Sequence, residues 1–317
     1  ADLINVTDPL GRAGELEAMG VDIICAHTGI DQQMTGKTSL ELLASLSGQV
    51  HIPLAVAGGI DAAGAGEAVR RGADIVIVGG WITRSADVTG STKRIRSELD
   101  NPSIEPVEKK SPDEEIRAIL LQVSAPNVSD AMHRKGAMSG IVSICGKVKM
   151  VGRAVTVQTF GGDWAKPVEA IDVAGKDEVI VINNDGVTHI APWGELATMS
   201  CVKKGIAGVV IDGAVRDVDD IRELKFPLFA KSVVPNAGEP KGFGEINAEI
   251  QCCGQAVRPG DWITGDESGV VVIPAERAYE IARRALEIRK NEERIREEIR
   301  RGSTLSKVTE LIKWEKK

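Results

Sequence analysis

Gly208-Val-Val-Ile-Asp-Gly-Ala-Val-Arg-Asp217 is a run of β-branched residues that passes through a glycine and ends on an arginine beside an aspartate. Its apolar part predicts a strand over 208–211 followed by a glycine turn. The end of the run reads as a site. A guanidinium is a permanently charged fork that suits a carboxylate, and an adjacent hard oxygen suits a divalent cation. Taken alone, an Arg216-Asp217 dipeptide is more often a surface ion-paired turn. Upstream, Gly194-Glu195-Leu196-Ala197 sets a second acid and another glycine before an apolar helix expected over 197–204, so two acids and an arginine could converge.

Working outward, β-branched runs at 154–158, 178–182 and 270–273, bounded by Gly, Asp and Pro, predict a mixed α/β sandwich. It opens at Ser111-Pro112-Asp113-Glu114, a capping box with proline at the first helical position, and a helix to about residue 123 follows. Ahead of it, residues 100–111 carry prolines at 102 and 106 and no apolar period, which reads as a linker. The first hundred residues alternate short apolar runs at 3–6, 21–26, 54–57 and 74–78 with helical stretches containing 12–19, 40–46, 62–71 and 91–99. That pattern predicts four βα units with parallel strands. The expected division is therefore a βα-repeat domain over 1–100, a linker over 101–111, an α/β domain over 112–275 and a charged helical extension over 276–317.

Glycine pairs Gly58-Gly59 and Gly79-Gly80 follow the third and fourth expected strands. Glycines at the carboxyl ends of successive strands let backbone N–H groups approach a phosphate, though such pairs also serve as plain turns. His27 follows the second strand at the same end, where a histidine is either structural or a proton-transfer candidate. In the C-terminal forty residues, Glu-to-Arg spacings of four support a long exposed helix. Ile281, Ala285, Ile288, Ile295 and Ile299 form one apolar stripe on it, and Glu292 falls within that stripe. Its carboxylate is expected to face a neighbour or to make a rim salt bridge.

Of the 317 residues, 43% are hydrophobic and 27% charged, which is ordinary for a globular chain long enough for two domains; 34 glycines and few aromatics favour an α/β core of Val, Ile, Ala and Leu. The net charge of −7, with Lys and Arg interleaved among acids, argues against a nucleic-acid surface. Five cysteines without a CxxC pair suggest neither a disulfide framework nor a zinc site, and a reducing cytoplasm fits. There is no secretory leader and no apolar run near the roughly 20 residues of a membrane helix. The chain starts at Ala1, which reads as a cut.

Two resemblances rest on these motifs. Gly194-Glu-Leu-Ala197, Lys204-Gly-Ile-Ala-Gly-Val-Val-Ile-Asp-Gly-Ala-Val-Arg-Asp217, Phe226-Pro-Leu-Phe-Ala230, Pro259-Gly-Asp261 and Gly265-Asp-Glu-Ser-Gly-Val-Val-Val-Ile-Pro274 occur in one order. They resemble the RraA-like family, which contains ribonuclease-activity regulators and metal-dependent 4-hydroxy-4-methyl-2-oxoglutarate aldolases, over residues 112–302. The resemblance implies a swivelling β/β/α domain in trimers or paired trimers. It also implies Mg²⁺ or Mn²⁺ on Asp217, with Glu195 and a neighbouring subunit's Glu292 acting through water. Arg216 would pair with the carboxylate of a small 2-oxo acid, and Gly194, Leu196 and Ala197 would cradle it. A non-catalytic regulator that binds a ribonuclease is the alternative.

Val21-Asp-Ile-Ile-Cys-Ala-His-Thr-Gly-Ile-Asp-Gln-Gln33, Ala57-Gly-Gly-Ile-Asp61 and Val78-Gly-Gly-Trp-Ile-Thr83 look like 3-hexulose-6-phosphate synthase, a TIM-type barrel acting on a sugar phosphate. That likeness makes His27 a catalytic candidate and the glycine pairs phosphate-binding candidates. It covers only what resemble strands five to eight, and the family's Asp-x-Lys-x-x-Asp cluster is absent from the sequence. Half a barrel, trimmed from a longer chain, with little or no hexulose-phosphate lyase activity of its own, is the expectation.

Overall fold

The protein was described from a computed structural model covering residues 1–83, 85, 87–102 and 111–309. Most of the expected linker and the last eight residues lie outside the described residues. The chain divides into two compact units, Ala1–Lys110 and Ser111–Lys317.

The first unit runs α1 (Pro9–Ala18), β1 (Ile24–His27), α2 (Ile30–Gln33), α3 (Ser39–Leu46), β2 (Leu54–Ala57), α4 (Ala62–Arg70), β3 (Ile75–Ile77), α5 (Gly80–Thr83) and α6 (Val88–Asp100). Short polar side chains start four of these helices: Asp8, Thr38, Asp61 and Asp87 each accept an amide three residues on. Leu3, Ile24, Leu43, Leu46, Leu54 and Val56 make the buried core.

Here the structure corrects the expected four βα units, because the parallel sheet has three strands in the order β1-β2-β3. In place of a strand over 3–6 there is a single parallel bridge just before it, Asp2 to Cys25, with the Leu3 amide bonded to the Cys25 carbonyl. The chain then reverses: Asn5 adopts φ 58°, the Val6 amide returns to the Leu3 carbonyl, and Asp8 caps α1. The run at 21–26 is shortened similarly. The Val21 amide closes the end of α1 on the Leu16 carbonyl after Gly20 at φ 82°, so the strand begins at Ile24.

The second unit runs α7 (Pro112–Gln122), α8 (Ala125–Ala131), β4 (Val142–Ser143), β5 (Met150–Gln158), α9 (Ala165–Val173), β6 (Val179–Asn183), α10 (Glu195–Lys204), β7 (Gly208–Val215), α11 (Val218–Glu223), β8 (Leu228–Val233), β9 (Glu245–Ile246), β10 (Ile250–Cys252), β11 (Gln255–Val257), β12 (Trp262–Asp266), β13 (Gly269–Ile273), α12 (Ala278–Arg300) and α13 (Leu305–Val308). A mixed sheet is ordered β13-β12-β5-β6-β7-β8-β4, with β9 also on β5 and a separate β10-β11 hairpin. β5 to β8 are mutually parallel, and the flanking strands pair antiparallel.

β7 is buried along its whole length, as a central parallel strand covered on both faces must be. Val209, Ile211 and Val215 join one core with residues of α9, α10 and α11, while Val210 joins Val181, Phe229 and Ile263 in another. The glycine turn expected after residue 211 is absent. The strand continues through Gly213 with a register irregularity between Ile211 and Ala214, and glycine is required there because a Cβ would strike the Asn184 side chain and the Val187 carbonyl. The Ser111–Glu114 capping box forms at α7. Of the C-terminal stripe, Ile281 and Ala285 are buried with Ala278 and Ala282 among residues of α7 and α8, whereas Ile299 is exposed.

Candidate active site

Parallel strands deliver their last residues to one edge of a sheet, and in open α/β folds that edge is where ligands bind. β7 delivers Arg216 and Asp217 there. Asp217 takes φ 58°, ψ 38°, a left-handed conformation uncommon for a residue with a side chain, as it caps α11. Arg216 is tied to the neighbouring loop, its amide donating to the Trp193 carbonyl at 3.1 Å. That loop is itself braced: the buried Trp193 indole donates to Thr198 Oγ1 at 2.9 Å, and the Thr198 hydroxyl donates to the Gly194 carbonyl at 3.0 Å.

The two segments therefore meet. Asp217 Oδ2 accepts from the Glu195 amide at 3.3 Å and from Arg216 Nε at 3.1 Å. Gly194 makes the approach possible, since a Cβ there would collide with Asp217 Oδ2. Its backbone is extended, so the requirement is space and not conformational freedom. Asp217 Oδ1, the outer guanidinium nitrogens of Arg216 and the Glu195 carboxylate have no hydrogen-bond or ion-pair partner among the described residues. At the start of α10 the Leu196 and Ala197 amides are likewise unengaged among them. Arg216 and Asp217 thus meet the start of α10, which carries Glu195 and two helix-terminal amides unengaged among the described residues, and residues of these types suit an anion and a hard cation.

Glu292 lies elsewhere on the chain. It is half-exposed on α12 and accepts from Arg296 Nη2 at 2.7 Å, the rim salt bridge of the alternative reading. No third acid, histidine or cysteine gathers with Asp217 and Glu195 among the described residues.

In the first unit His27 ends β1, and its Nδ1 lies 2.9 Å from Asp2 Oδ2. Burial opposes ionisation of Asp2, but hydrogen bonds from His27 and the Ile4 amide outweigh it and hold the carboxyl below its usual range. Gly58 and Gly59 follow β2 at φ 96° and 71°, and a Cβ on either would strike the Thr28 carbonyl or the Gln33 amide. Gly79 has open space beside it and Gly80 begins α5. His27, Gly58 and Gln33 are thus brought together.

Two features had no sequence signal. Asp163, 3% exposed, accepts the amides of Ala165, Lys241 and Phe243, and it forms one wall of a cleft of about 270 Å³ with Phe160, Ile190, Gly238 and Phe243. Asp212, Cys252 and Cys253 converge from strands 40 residues apart in sequence.

Comparison with known proteins agrees with this division. A family profile described as RraA-like, Aldolase/RraA, matches residues 125–272. An uncharacterized protein of Methanocaldococcus jannaschii is 45% identical over 196 residues, covering 61% of this chain and 93% of that protein. The 4-hydroxy-4-methyl-2-oxoglutarate aldolase of Thermus thermophilus is 30% identical over 132 residues, 42% of this chain and 80% of the enzyme. The 3-hexulose-6-phosphate synthase of Bacillus subtilis is 43% identical over 96 residues, 30% of this chain, so the chain spans about half of that enzyme (46%). Among solved structures, Streptomyces coelicolor RraAS2, described as an unusual member of the RNase ES inhibitor RraA protein family, superposes with a TM-score of 0.53 at 25% identity. The match covers 59% of this chain and 98% of that one.

Proposed function

The chain belongs to the Aldolase/RraA family, joined to a segment homologous to 3-hexulose-6-phosphate synthase, and from that footing we propose that its second unit is a divalent-metal-dependent carbon–carbon lyase for small 2-oxo acids. The observation that carries this reading is the meeting of the Glu195 amide, Arg216 Nε and Asp217 Oδ2 within 3.3 Å, with the other oxygen and the outer guanidinium nitrogens left free.

The residues fit a magnesium- or manganese-class ion. Asp217 offers a half-buried carboxylate whose Oδ1 has no partner among the described residues, and Glu195, likewise unpartnered among them, brings a second carboxylate to the same loop. Asp217 would hold the ion, with Glu195 and a neighbouring subunit's Glu292 reaching it through water. The bound ion would supply electrophilic pull on the oxygens of a chelating 2-oxo acid. Arg216 pairs its free nitrogens with the substrate carboxylate and stabilises negative charge that develops as a carbon–carbon bond breaks. The Leu196 and Ala197 amides orient the pyruvate portion, and Glu195 is placed to move a proton. Retro-aldol cleavage of 4-hydroxy-4-methyl-2-oxoglutarate and decarboxylation of oxaloacetate need the same electron sink, so both belong to the proposal.

Within it the first unit is a portion of a (β/α) barrel, His27 and the glycine pairs serving a sugar phosphate only when that barrel is complete. The assembly is a homotrimer or hexamer in the cytoplasm. Among the described residues no helix is long and apolar enough to cross a membrane. Leu196, Met199 and Val202 stand exposed on α10 beside the site, which favours a protein contact there and gives the regulator reading its specific support.

Asp217→Asn tests the site. Metal-dependent oxaloacetate decarboxylation should fall by on the order of a hundredfold or more. Unchanged turnover in a folded variant, together with capture of a ribonuclease in a pull-down, would replace the lyase reading with the regulator.

A further inference from the structure

The buried pair Cys252-Cys253 takes no part in the site described above. Its sulfurs and a carboxylate oxygen of Asp212 lie within 4.8 Å of one another, and these three residues are 0%, 2% and 7% exposed. No other group of three such donors exists among the described residues. Cys253 and Gly254 turn β10 into β11 at φ 50° and 81°. Two-residue hairpin turns with both residues left-handed favour Asn, Asp and Gly, so a cysteine there is held against its preference. The holder is Asp212: its Oδ2 accepts the Cys253 amide at 2.5 Å, and one carboxylate thus shapes the turn and joins the thiols. Its Oδ1 pairs with Lys231 Nζ, whose side chain is 26% exposed.

We propose that Asp212, Cys252 and Cys253 form a site for one thiophilic divalent cation of the zinc class, distinct from the hard-cation site at Asp217. Two sulfurs and one oxygen match the soft-to-borderline donor set that zinc-class ions take, and they are a poor match for magnesium, which needs six oxygens. The Ile182 carbonyl accepts from Cys252 Sγ at 3.7 Å.

Charge balance favours occupancy. Without metal the cluster holds one carboxylate, one ammonium and two neutral thiols, and its net charge is zero. Uptake of M²⁺ expels the two thiol protons to water and leaves two thiolates, so the net charge is again zero and the buried region gains no uncompensated charge. Spacing rules overlook such a site because the cysteines are adjacent and the third ligand lies on another strand.

Cobalt titration of the full chain, reduced with a phosphine and free of chelator, tests this. One equivalent of Co²⁺ should give a thiolate-to-cobalt charge-transfer absorption in the near ultraviolet, and zinc should displace it. The band should persist in Asp217→Asn, vanish in the Cys252→Ala/Cys253→Ala double variant, and require at least about tenfold more cobalt in Asp212→Asn. Circular dichroism confirms that each variant is folded. If the wild-type chain, with all its thiols shown reduced, gives no such band, the proposal fails on that arm alone, even where a variant does not fold. A band that survives in a folded double variant overturns it equally.

Discussion

At Gly194 a single methyl group decides the geometry of the site. Cβ of an alanine would collide with Asp217 Oδ2 and lie 3.2 Å from Arg216 Cγ, so Asp217 or the loop must shift. Because the glycine's backbone is extended, alanine carries no conformational strain and the damage stays local. Gly194→Ala should therefore lower kcat/KM for oxaloacetate by on the order of ten- to a hundredfold, while melting moves by no more than a few degrees. Steady-state kinetics beside thermal unfolding separates the two, and wild-type kinetics would show that Asp217 need not touch the loop. Arg216, Asp217, Glu195 and Gly194 were legible in the sequence as candidates. Their contact was not, because it depends on the left-handed turn at Asp217 and on α10 starting at Glu195, two residues before the expected 197. Helix starts are read from capping side chains, and the cap here, Gly194, has none.

At the scale of elements, strand cores were legible and strand ends were not. The runs at 54–57 and 270–273 lie in β2 and β13, the first as a short, fully buried apolar run and the second as a β-branched one, and both patterns favour a covered sheet. The run at 3–6 failed because the backbone turns at Asn5, with φ 58°, and Asp8 then caps α1 by accepting the Gly11 amide. Asp163 shows the same kind of local control. Burial pushes its carboxyl pKa up, but the amides of Ala165, Lys241, Phe243 and Gly242 outweigh that and hold it below the usual range. A folded-state pKa below the unfolded one stabilises above the unfolded value, near 4, and the contribution is lost as pH falls through the folded value. Amide exchange at Lys241 and Phe243 should accelerate, and melting of the second unit should drop, below about pH 4. Asp163→Asn should cost about 1–3 kcal/mol at pH 7 and remove that part of the acid dependence. If the variant exchanged as slowly as wild type at pH 7, the carboxylate would not be what joins these loops.

For the whole molecule, the question is which of its two ancestries the chain can act on. The first unit carries the closer match to a named enzyme, 43% identity to 3-hexulose-6-phosphate synthase, against 30% to the aldolase in the second. Identity over a segment does not supply a site, because function resides in particular groups and not in the fold that bears them. A TIM-type barrel is closed by eight strands, whereas this unit's sheet has three among the described residues, with β3 and its half-exposed Ile75 and Ile77 at an edge. The Asp-x-Lys-x-x-Asp cluster that does the family's chemistry occurs nowhere in the 317 residues. His27 has Asp2 as its partner. In the second unit, by contrast, the Glu195 amide and Arg216 Nε both reach Asp217 Oδ2, the contact on which the proposed lyase site rests. Incubated with hexulose 6-phosphate and magnesium, the purified chain should release no formaldehyde above a protein-free blank, while the same preparation decarboxylates oxaloacetate. Asp217→Asn should then abolish the second activity and leave the first at its blank level. Formaldehyde release at a substantial rate would mean that three strands, with His27 and the Gly58-Gly59 loop, suffice for a reaction whose known machinery they lack.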